Sequence, residues 1–297
     1  MTERIVSLLP SATEIVCSLG LEDQLVGVTH ECDYPPSVRK KPVVTASVLD
    51  GVRGSGEIDR HIRRMVHAGS SIYMLDSERL GELHPDLILT QELCEVCAVS
   101  YPIVERAVRR LDGSTQLVSL EPETLDDVFE NVCTVGRLTH RQDRASEVVA
   151  GLRDRADVVR RGLAGRPRRR IICLEWVDPP YNCGHWTPEL VELAGGEDLL
   201  GNAGQPAHPI DAATLASQRP EAIVVMACGF GLERSIGEVE RANGTIAAGG
   251  AELWVVDGNA YFSRPGPRLV DSLEILGGIL HPGLIPAPSA AQARRLA

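Results

Sequence analysis

Aromatic side chains are scarce in this chain: Phe, Trp and Tyr together make up 4% of its 297 residues. Positive charge is short as well, with 30 Lys and Arg against 41 Asp and Glu, for a net charge of -11. Phosphate backbones need a basic surface, so nucleic acid is excluded as the default partner. The short basic run from Arg166 to Arg170 reads better as the complement of a helix C-terminus and a domain junction. No uninterrupted apolar run is long enough to span a bilayer, which removes membrane insertion. No charged n-region, apolar stretch and cleavage site precede the first strand, which starts straight after Met1–Arg4. The expectation is a cytoplasmic protein, or a periplasmic or cell-surface one if the start codon is misassigned.

Common catalytic signatures are missing too. There is no phosphate-cradling glycine motif, no Gly-x-Ser-x-Gly and no His-Glu-x-x-His. Glu175 and Asp178 have the chemistry of acids, but nothing pairs them with a nucleophile. Cys228, in Met226-Ala-Cys-Gly-Phe230, has no obvious base at a fixed spacing. These absences favour a binding protein over an enzyme.

The chain does have the makings of two cores. It is 43% hydrophobic and 24% charged, the balance of a soluble globular protein, and its length accommodates two domains. From Arg141 to Leu163, apolar or small residues recur at Ala145, Val148, Val149, Leu152, Ala156, Val159 and Leu163. That period makes one apolar stripe on a long helix. Similar patterns lie on both sides of it, so the helix reads as a spine between two lobes. Before it, Arg4–Pro10 reads as a buried strand, and Glu14 to Asp23 as a helix closed at Gly20. After it, Arg170–Trp176 and Glu189 to Asp198, with Gly195, repeat the pair. His84-Pro-Asp-Leu-Ile-Leu-Thr-Gln91 likewise matches Arg219-Pro-Glu-Ala-Ile-Val-Val-Met226, and each strand runs into a cysteine loop. Duplicated strand–helix units predict an α/β fold: two similar lobes with parallel sheets, a long rigid spine and a ligand cleft between them. The predicted boundaries are 1–139, 140–166 for the spine, 167–285, and a frayed tail from 286 to 297.

Within the first lobe, further strands are expected at Val26–His30, Ser71–Leu75 and Gln116–Leu120, with helices at Glu57–Ala68, Tyr101–Leu111 and Pro122–Leu138, the last weakened at Gly136. In the second, strands are expected at Ala222–Met226 and Leu253–Asp257, with helices at Pro188–Ala194, Asp211–Gln218, Ser235–Arg241 and Pro267–Leu280.

Ligands of parallel α/β sheets sit beyond the carboxyl ends of the strands. Five of the eight cysteines, Cys32, Cys94, Cys97, Cys183 and Cys228, fall in such loops, as does His185. Converging thiolates suit zinc or an iron–sulfur cluster, and the Cys94-Glu-Val-Cys97 spacing lets two sulfurs reach one metal. The alternative is a set of free thiols lining a pocket. Cys17, Cys133 and Cys173 occupy apolar positions, where cysteine acts as a small hydrophobe. The few aromatics gather in the same loops: Tyr34 near Cys32, then Trp176, Tyr181 and Trp186 around Cys183, Phe230 after Cys228, and Tyr261 and Phe262 just before Arg264. Flat walls with a few polar groups suit a large planar ligand. His30 and His208 are further candidates because of the loops they occupy.

The opening Arg4-Ile-Val-Ser-Leu-Leu-Pro-Ser-Ala-Thr-Glu14, the paired lobes, the spine and the segment from Tyr261 to Arg268 resemble the periplasmic-binding-protein family for cobalamin and iron–siderophores. The resemblance covers roughly residues 3 to 283. It implies a cobalamin or related corrinoid held non-covalently between the lobes, little hinge closure, and an ABC permease as partner if the protein is exported. In that family an aromatic pair followed by an arginine contacts the corrin, which Tyr261, Phe262 and Arg264 match. The aspartate that precedes the pair in the family is Ala260 here, and a second-lobe aromatic is replaced near Ala207-His208. The alternative function is a metal or iron–sulfur protein that uses the loop cysteines.

Overall fold

The computed structural model describes residues 4–49, 51–52, 54–67, 71–92, 100–109, 111, 115–242, 246 and 249–297. The chain divides into two compact units: Met1–Arg53, Arg60–Pro122 and Asp127–Ala150 form the first, and Gly54–Asp59, Glu123–Asp126 and Gly151–Ala297 the second.

The first unit is built on four parallel strands in the order β2 (Leu25–Val28), β1 (Ile5–Ser7), β5 (Leu87–Thr90) and β6 (Gln116–Ser119). β1 and β5 are buried along their whole length, as expected for apolar runs covered on both faces. Between them lie α1 (Pro10–Ser18), α2 (Ser55–His67) and α3 (Ser77–Glu82), and α4 (Tyr101–Val108) precedes β6. α1 begins four residues before the expected Glu14, because Pro10 occupies the first turn, where its fixed φ and missing N–H cost nothing. Val6, Leu8, Val44, Leu80, Ile88, Val104 and Ala107 form one core cluster of this unit. The strand expected at Ser71–Leu75 is β4 (Tyr73–Leu75). It pairs antiparallel with β3 (Thr45–Ser47) in a separate two-stranded ladder, outside the parallel sheet.

α5 (Leu125–Leu138) and α6 (Gln142–Gly162) follow. Gly136 does not weaken α5. A Cβ there would lie 2.6 Å from that of Ala145, so the glycine lets α6 approach. On α6 the residues Ala145, Val149, Leu152 and Val159 are buried, and Leu163 just beyond it as well, which is the expected stripe. The boundary between the units falls inside this helix, after Ala150. On the first side, Arg144 Nε donates to the Ser18 carbonyl at 3.2 Å. On the second, Arg155 makes two hydrogen bonds to Glu274, at 2.7 and 2.9 Å, and a third to Asp271.

The second unit repeats the plan. Its sheet runs β10 (Gly196–Asp198), β7 (Arg169–Val177), β12 (Ala222–Val225), β13 (Glu252–Val256) and β14 (Ala293–Arg295), with β8 (Pro180–Asn182) folded back antiparallel on β7. β9 (Gly184–His185) pairs with β11 (Asn202–Ala203), and α7 (Thr187–Leu193), α8 (Ala212–Ser217), α9 (Leu232–Arg241) and α10 (Leu269–Leu280) complete the unit. The tail expected to fray is ordered instead. β14 pairs antiparallel with β13, and Arg294 reaches Glu233 at 2.6 Å, because the edge of β13 offers backbone groups that need partners.

The duplication extends to backbone detail. Gly20 and Gly195 stop α1 and α7 with φ of 73° and 74°. His84 and Arg219, each just before a proline, are both left-handed, at 41° and 49°. The acid after each proline then accepts from the backbone N–H of the matching first strand: Arg4 N–H to Asp86 at 3.1 Å, and Arg170 N–H to Glu221 at 2.9 Å.

Candidate functional site

In the second unit, the loops that leave β7, β12 and β13 begin at the same end of three adjacent parallel strands and are bonded to one another. The ladder between β7 and β12 continues past the sheet, with Met226 N–H to the Leu174 carbonyl and Cys228 N–H to that of Glu175, both at 2.9 Å. Asn259 N–H, after β13, donates to the Phe230 carbonyl at 3.0 Å. Gly258 makes this possible: a Cβ there would meet the Ala227 carbonyl oxygen at 2.4 Å. Asp257 caps the π-turn Gly258–Phe262 by accepting from Ala260 N–H at 2.8 Å.

Side chains fasten the same loops. The rings of Trp176 and Phe230 lie 4.9 Å apart at a tilt, and the Arg234 guanidinium sits 3.7 Å above the Phe230 ring. Trp186 Nε1 donates to the Phe262 carbonyl at 3.0 Å, which ties the start of α7 to the π-turn. Arg264 Nη2 donates to Asn259 Oδ1 at 3.1 Å, Arg268 lies 5.6 Å from the Tyr261 ring centre, and Tyr181 Oη donates to Asp59 Oδ1 at 3.0 Å. The structure therefore links the loops that carry Trp176, Trp186, Phe230, Tyr261, Phe262 and Arg264. It gives them unequal surfaces: Phe230, Phe262 and Arg264 are almost fully buried, so they underpin the rim, while Trp176, Trp186 and Tyr261 are half-buried. Asp59, Arg234 and Asn259 join the rim with no local signal in the sequence. Asp59, for instance, lies 122 residues from Tyr181.

His185 stands out at the end of β9. Its φ is 49°, in the left-handed region, and its backbone is clamped on both sides by His185 N–H to Gln205 O at 2.8 Å and Gly204 N–H to His185 O at 3.0 Å. Its ring stacks on that of Trp186 at 5.6 Å and 25°. Nδ1 is buried without a hydrogen-bond partner among the described residues. Burial holds the imidazole pKa below its usual value, against the opposing pull of Glu123. Nearby, burial and then the Cys228 thiol raise Glu175 to about 8, against a hydrogen bond from the Gly184 N–H. Burial likewise lifts Asp198 to about 7.

The remaining candidates are dispersed. His208 is exposed and lines a hollow with Leu200, Pro209, Ile210, Asp211 and Thr214. In the first unit Tyr34 is 45% exposed, and His30 is engaged by Thr45 Oγ1 at 2.7 Å and Glu31 Oε1 at 3.3 Å.

Among the described residues, the expected thiolates do not converge. Cys32 is buried with its sulfur 3.0 Å from Thr13 Oγ1. Cys183 is fully buried beside Cys173: burial, then the hydrogen bond between the two thiols, push Cys183 well above the ordinary range. For Cys173 that hydrogen bond is the largest influence and lowers the value, but burial and the Asp198 charge together leave the thiol raised. Protonated thiols in an apolar interior are poor ligands, since a metal takes the thiolate. Cys228 is half-buried above Glu175, and Cys94 and Cys97 lie outside the described residues. Among the described residues, no three His, Cys, Asp or Glu side chains are grouped to hold a metal ion. Among them, too, no helix is long and apolar enough to cross a membrane.

The vitamin B12-binding protein of Vibrio cholerae serotype O1 is 24% identical to this chain over 283 residues, covering 92% of this chain and 87% of its own. That of Yersinia pestis is 23% identical over 232 residues, covering 75% and 69%. A periplasmic heme binding protein from Pseudomonas aeruginosa superposes with a TM-score of 0.74 at 20% identity, covering 99% of this chain and 98% of its own. The periplasmic vitamin B12 binding protein of Vibrio cholerae does so at 0.68 and 20%, covering 94% and 96%. Structural likeness at such identity speaks for a shared fold. The sequence model described as periplasmic binding protein matches residues 5–243, and on that match the chain belongs to the periplasmic binding protein family.

Proposed function

We propose that this protein is a non-enzymatic carrier of cobalamin or a closely related corrinoid, held non-covalently on the linked loops of the second unit. The observation that carries the reading is the aromatic–arginine segment Tyr261-Phe-Ser-Arg264, braced from below by Asn259 and from the side by the Trp186 indole. Half-buried Trp176, Trp186 and Tyr261 supply flat apolar surface for a macrocycle, and buried Phe230, Phe262 and Arg264 hold that surface in place. Tyr181 joins the rim through Asp59, and Tyr34 and His208 are the more exposed candidates for outlying contacts. The B12-binding relatives support the same ligand class. Haem is the second reading, favoured by the heme binding protein of the same fold. The two macrocycles differ at the edge: haem carries two carboxylates, a corrin mainly neutral amides.

In a family named for the periplasm, the cytoplasmic expectation has no support, and we place the protein with an ABC permease that receives its cargo. Iron–sulfur and zinc readings are likewise unsupported among the described residues.

Titration with cyanocobalamin, aquocobalamin and haemin, followed by quenching of the three tryptophans, tests the ligand. Saturable, stoichiometric quenching by the cobalamins at micromolar concentration or below is expected, with haemin weaker. Binding of haemin alone would overturn the corrinoid reading.

A further inference from the structure

Cys173 and Cys183 meet at the open end of one hairpin. β8 runs antiparallel to β7, with Leu174 opposite Asn182. One step back along β7 lies Cys173, and one step forward along the returning chain lies Cys183, so the register sets the two cysteines against each other. Opposed residues of an antiparallel pair point to the same face of the sheet. Both residues are fully buried, and their thiols are hydrogen-bonded to one another. Packing as small hydrophobes accounts for the burial of two cysteines but does not require their sulfurs to face each other.

Both backbones are held from outside the hairpin. Cys173 pairs with Val224 in the centre of the sheet. The Cys183 carbonyl accepts from Asn202 N–H at 2.9 Å. Asn182, just before it, donates its side-chain amide to the Leu200 carbonyl and accepts from His208 N–H, both at 2.7 Å. Gly184, just after it, runs so close to the neighbouring chain that a Cβ would fall 2.3 Å from the Gln205 carbonyl oxygen. The Cβ atoms of opposed residues in such a pair lie about 4.5–5.5 Å apart, and a disulfide spans about 3.5–4.5 Å, so a bond between the sulfurs asks for a local shift of about 1 Å. The sheet itself need not rearrange.

We propose that Cys173 and Cys183 are an oxidation site: they close to an intramolecular disulfide that clamps the hairpin carrying Trp176 and Tyr181. The oxidant is a disulfide, either a small molecule or a protein. One cysteine thiol attacks it to form a mixed disulfide and passes its proton to the sulfur that leaves. The second thiol attacks the mixed disulfide, and its proton goes to the other oxidant sulfur as that leaves. Two protein thiols thereby become one S–S bond, while the oxidant's S–S bond becomes two thiols. Because both sulfurs are buried, exchange takes place while β8 is lifted from β7, as it is during folding. Once closed, the bond is shielded from reductants. A disulfide persists in an oxidising compartment, in keeping with the periplasmic placement proposed above, and this one is independent of the identity of the cargo.

The test refolds the whole protein, Cys173→Ala and Cys183→Ala from reduced, unfolded chains in a buffer of oxidised and reduced glutathione, with circular dichroism as the check on folding. Free thiols are then alkylated, and the chains are cut after glutamate, which separates the two cysteines at Glu175. Mass spectrometry of the wild type should find the Cys173 and Cys183 peptides joined in most molecules. Dithiothreitol should open the bond about tenfold more slowly in the folded protein than in urea. The fall in urea midpoint that reductant causes in the wild type should be smaller in both variants. Folded wild-type protein that yields both cysteines alkylated and unlinked would overturn the proposal, as would linkage of either one to a different cysteine such as Cys228. The linkage is read on the wild type, so a variant that fails to fold does not spare the proposal, and the cobalamin titration stands or falls separately.

Discussion

At the scale of single residues, burial sets most of the unusual chemistry. Glu175 is raised from its ordinary value to about 8, and an acid raised in the folded state stabilises the fold by staying protonated. That contribution is complete below the unfolded carboxyl pKa, near 4.5, and is lost as pH climbs through about 8. Glu175→Gln is neutral at every pH. Its urea midpoint should move upward relative to wild type as pH rises from 5 to 9, and parallel curves would refute the assignment. Asp198, raised to about 7, contributes with the same sign in both proteins, so the difference isolates Glu175. Trp186 is the residue by which α7 grips the π-turn. Trp186→Phe keeps the ring but loses the indole N–H, which is worth about 1 kcal/mol. Cyanocobalamin affinity measured by calorimetry should fall about fivefold, and an unchanged affinity would remove Trp186 from the site.

At the scale of elements, helix contact and sheet closure depend on small, local choices. Gly136→Ala places a methyl 2.6 Å from Ala145 Cβ and forces α5 and α6 apart. Overpacking of that kind costs about 1–3 kcal/mol, to be read as a lower urea midpoint with an unchanged slope. A gain in stability, as helix propensity alone would predict, would mean that the two helices do not depend on this contact. Removal of residues 292–297 takes away β14 and leaves the edge of β13 bare. The shortened protein should be less stable and should self-associate in light scattering, because an uncovered strand edge recruits another. The sequence signalled most of the helices and the central parallel strands through their periods, but not the short α3 or the edge strand β10. It did not signal β14, whose Ala-Arg-Arg composition is ordinary for a loop and becomes a strand only beside an open edge. β3, three residues long, was silent for the same reason.

At the scale of the whole molecule, cargo binding should register as added stability. At a cyanocobalamin concentration about a hundred times Kd, the fold should gain about 2.7 kcal/mol, and the melting temperature should rise by several degrees. A calorimetric scan with no shift under those conditions, against a positive titration, would mean that the unfolded chain binds as well.

The sequence by itself determined the duplicated α/β plan, the helix at the boundary and the family, because these follow from apolar periodicity and from turn residues whose roles are local. Gly20 and Gly195 stop helices, and Pro-Asp and Pro-Glu place an acid against the start of a strand, whatever lies farther away. Loop composition also drew attention to Trp186, Tyr261 and Arg264 before any geometry was known. Tertiary structure decided how those residues are used. Cysteines that looked alike along the chain separated into buried thiols such as Cys183 and a half-buried one at Cys228, because burial depends on what packs from other elements. It joined Tyr181 to Asp59 and the Trp186 indole to the Phe262 carbonyl, and it left His185 in a left-handed backbone with Nδ1 buried and without a hydrogen-bond partner among the described residues. Those properties arise from contacts between distant segments, and no local pattern encodes them.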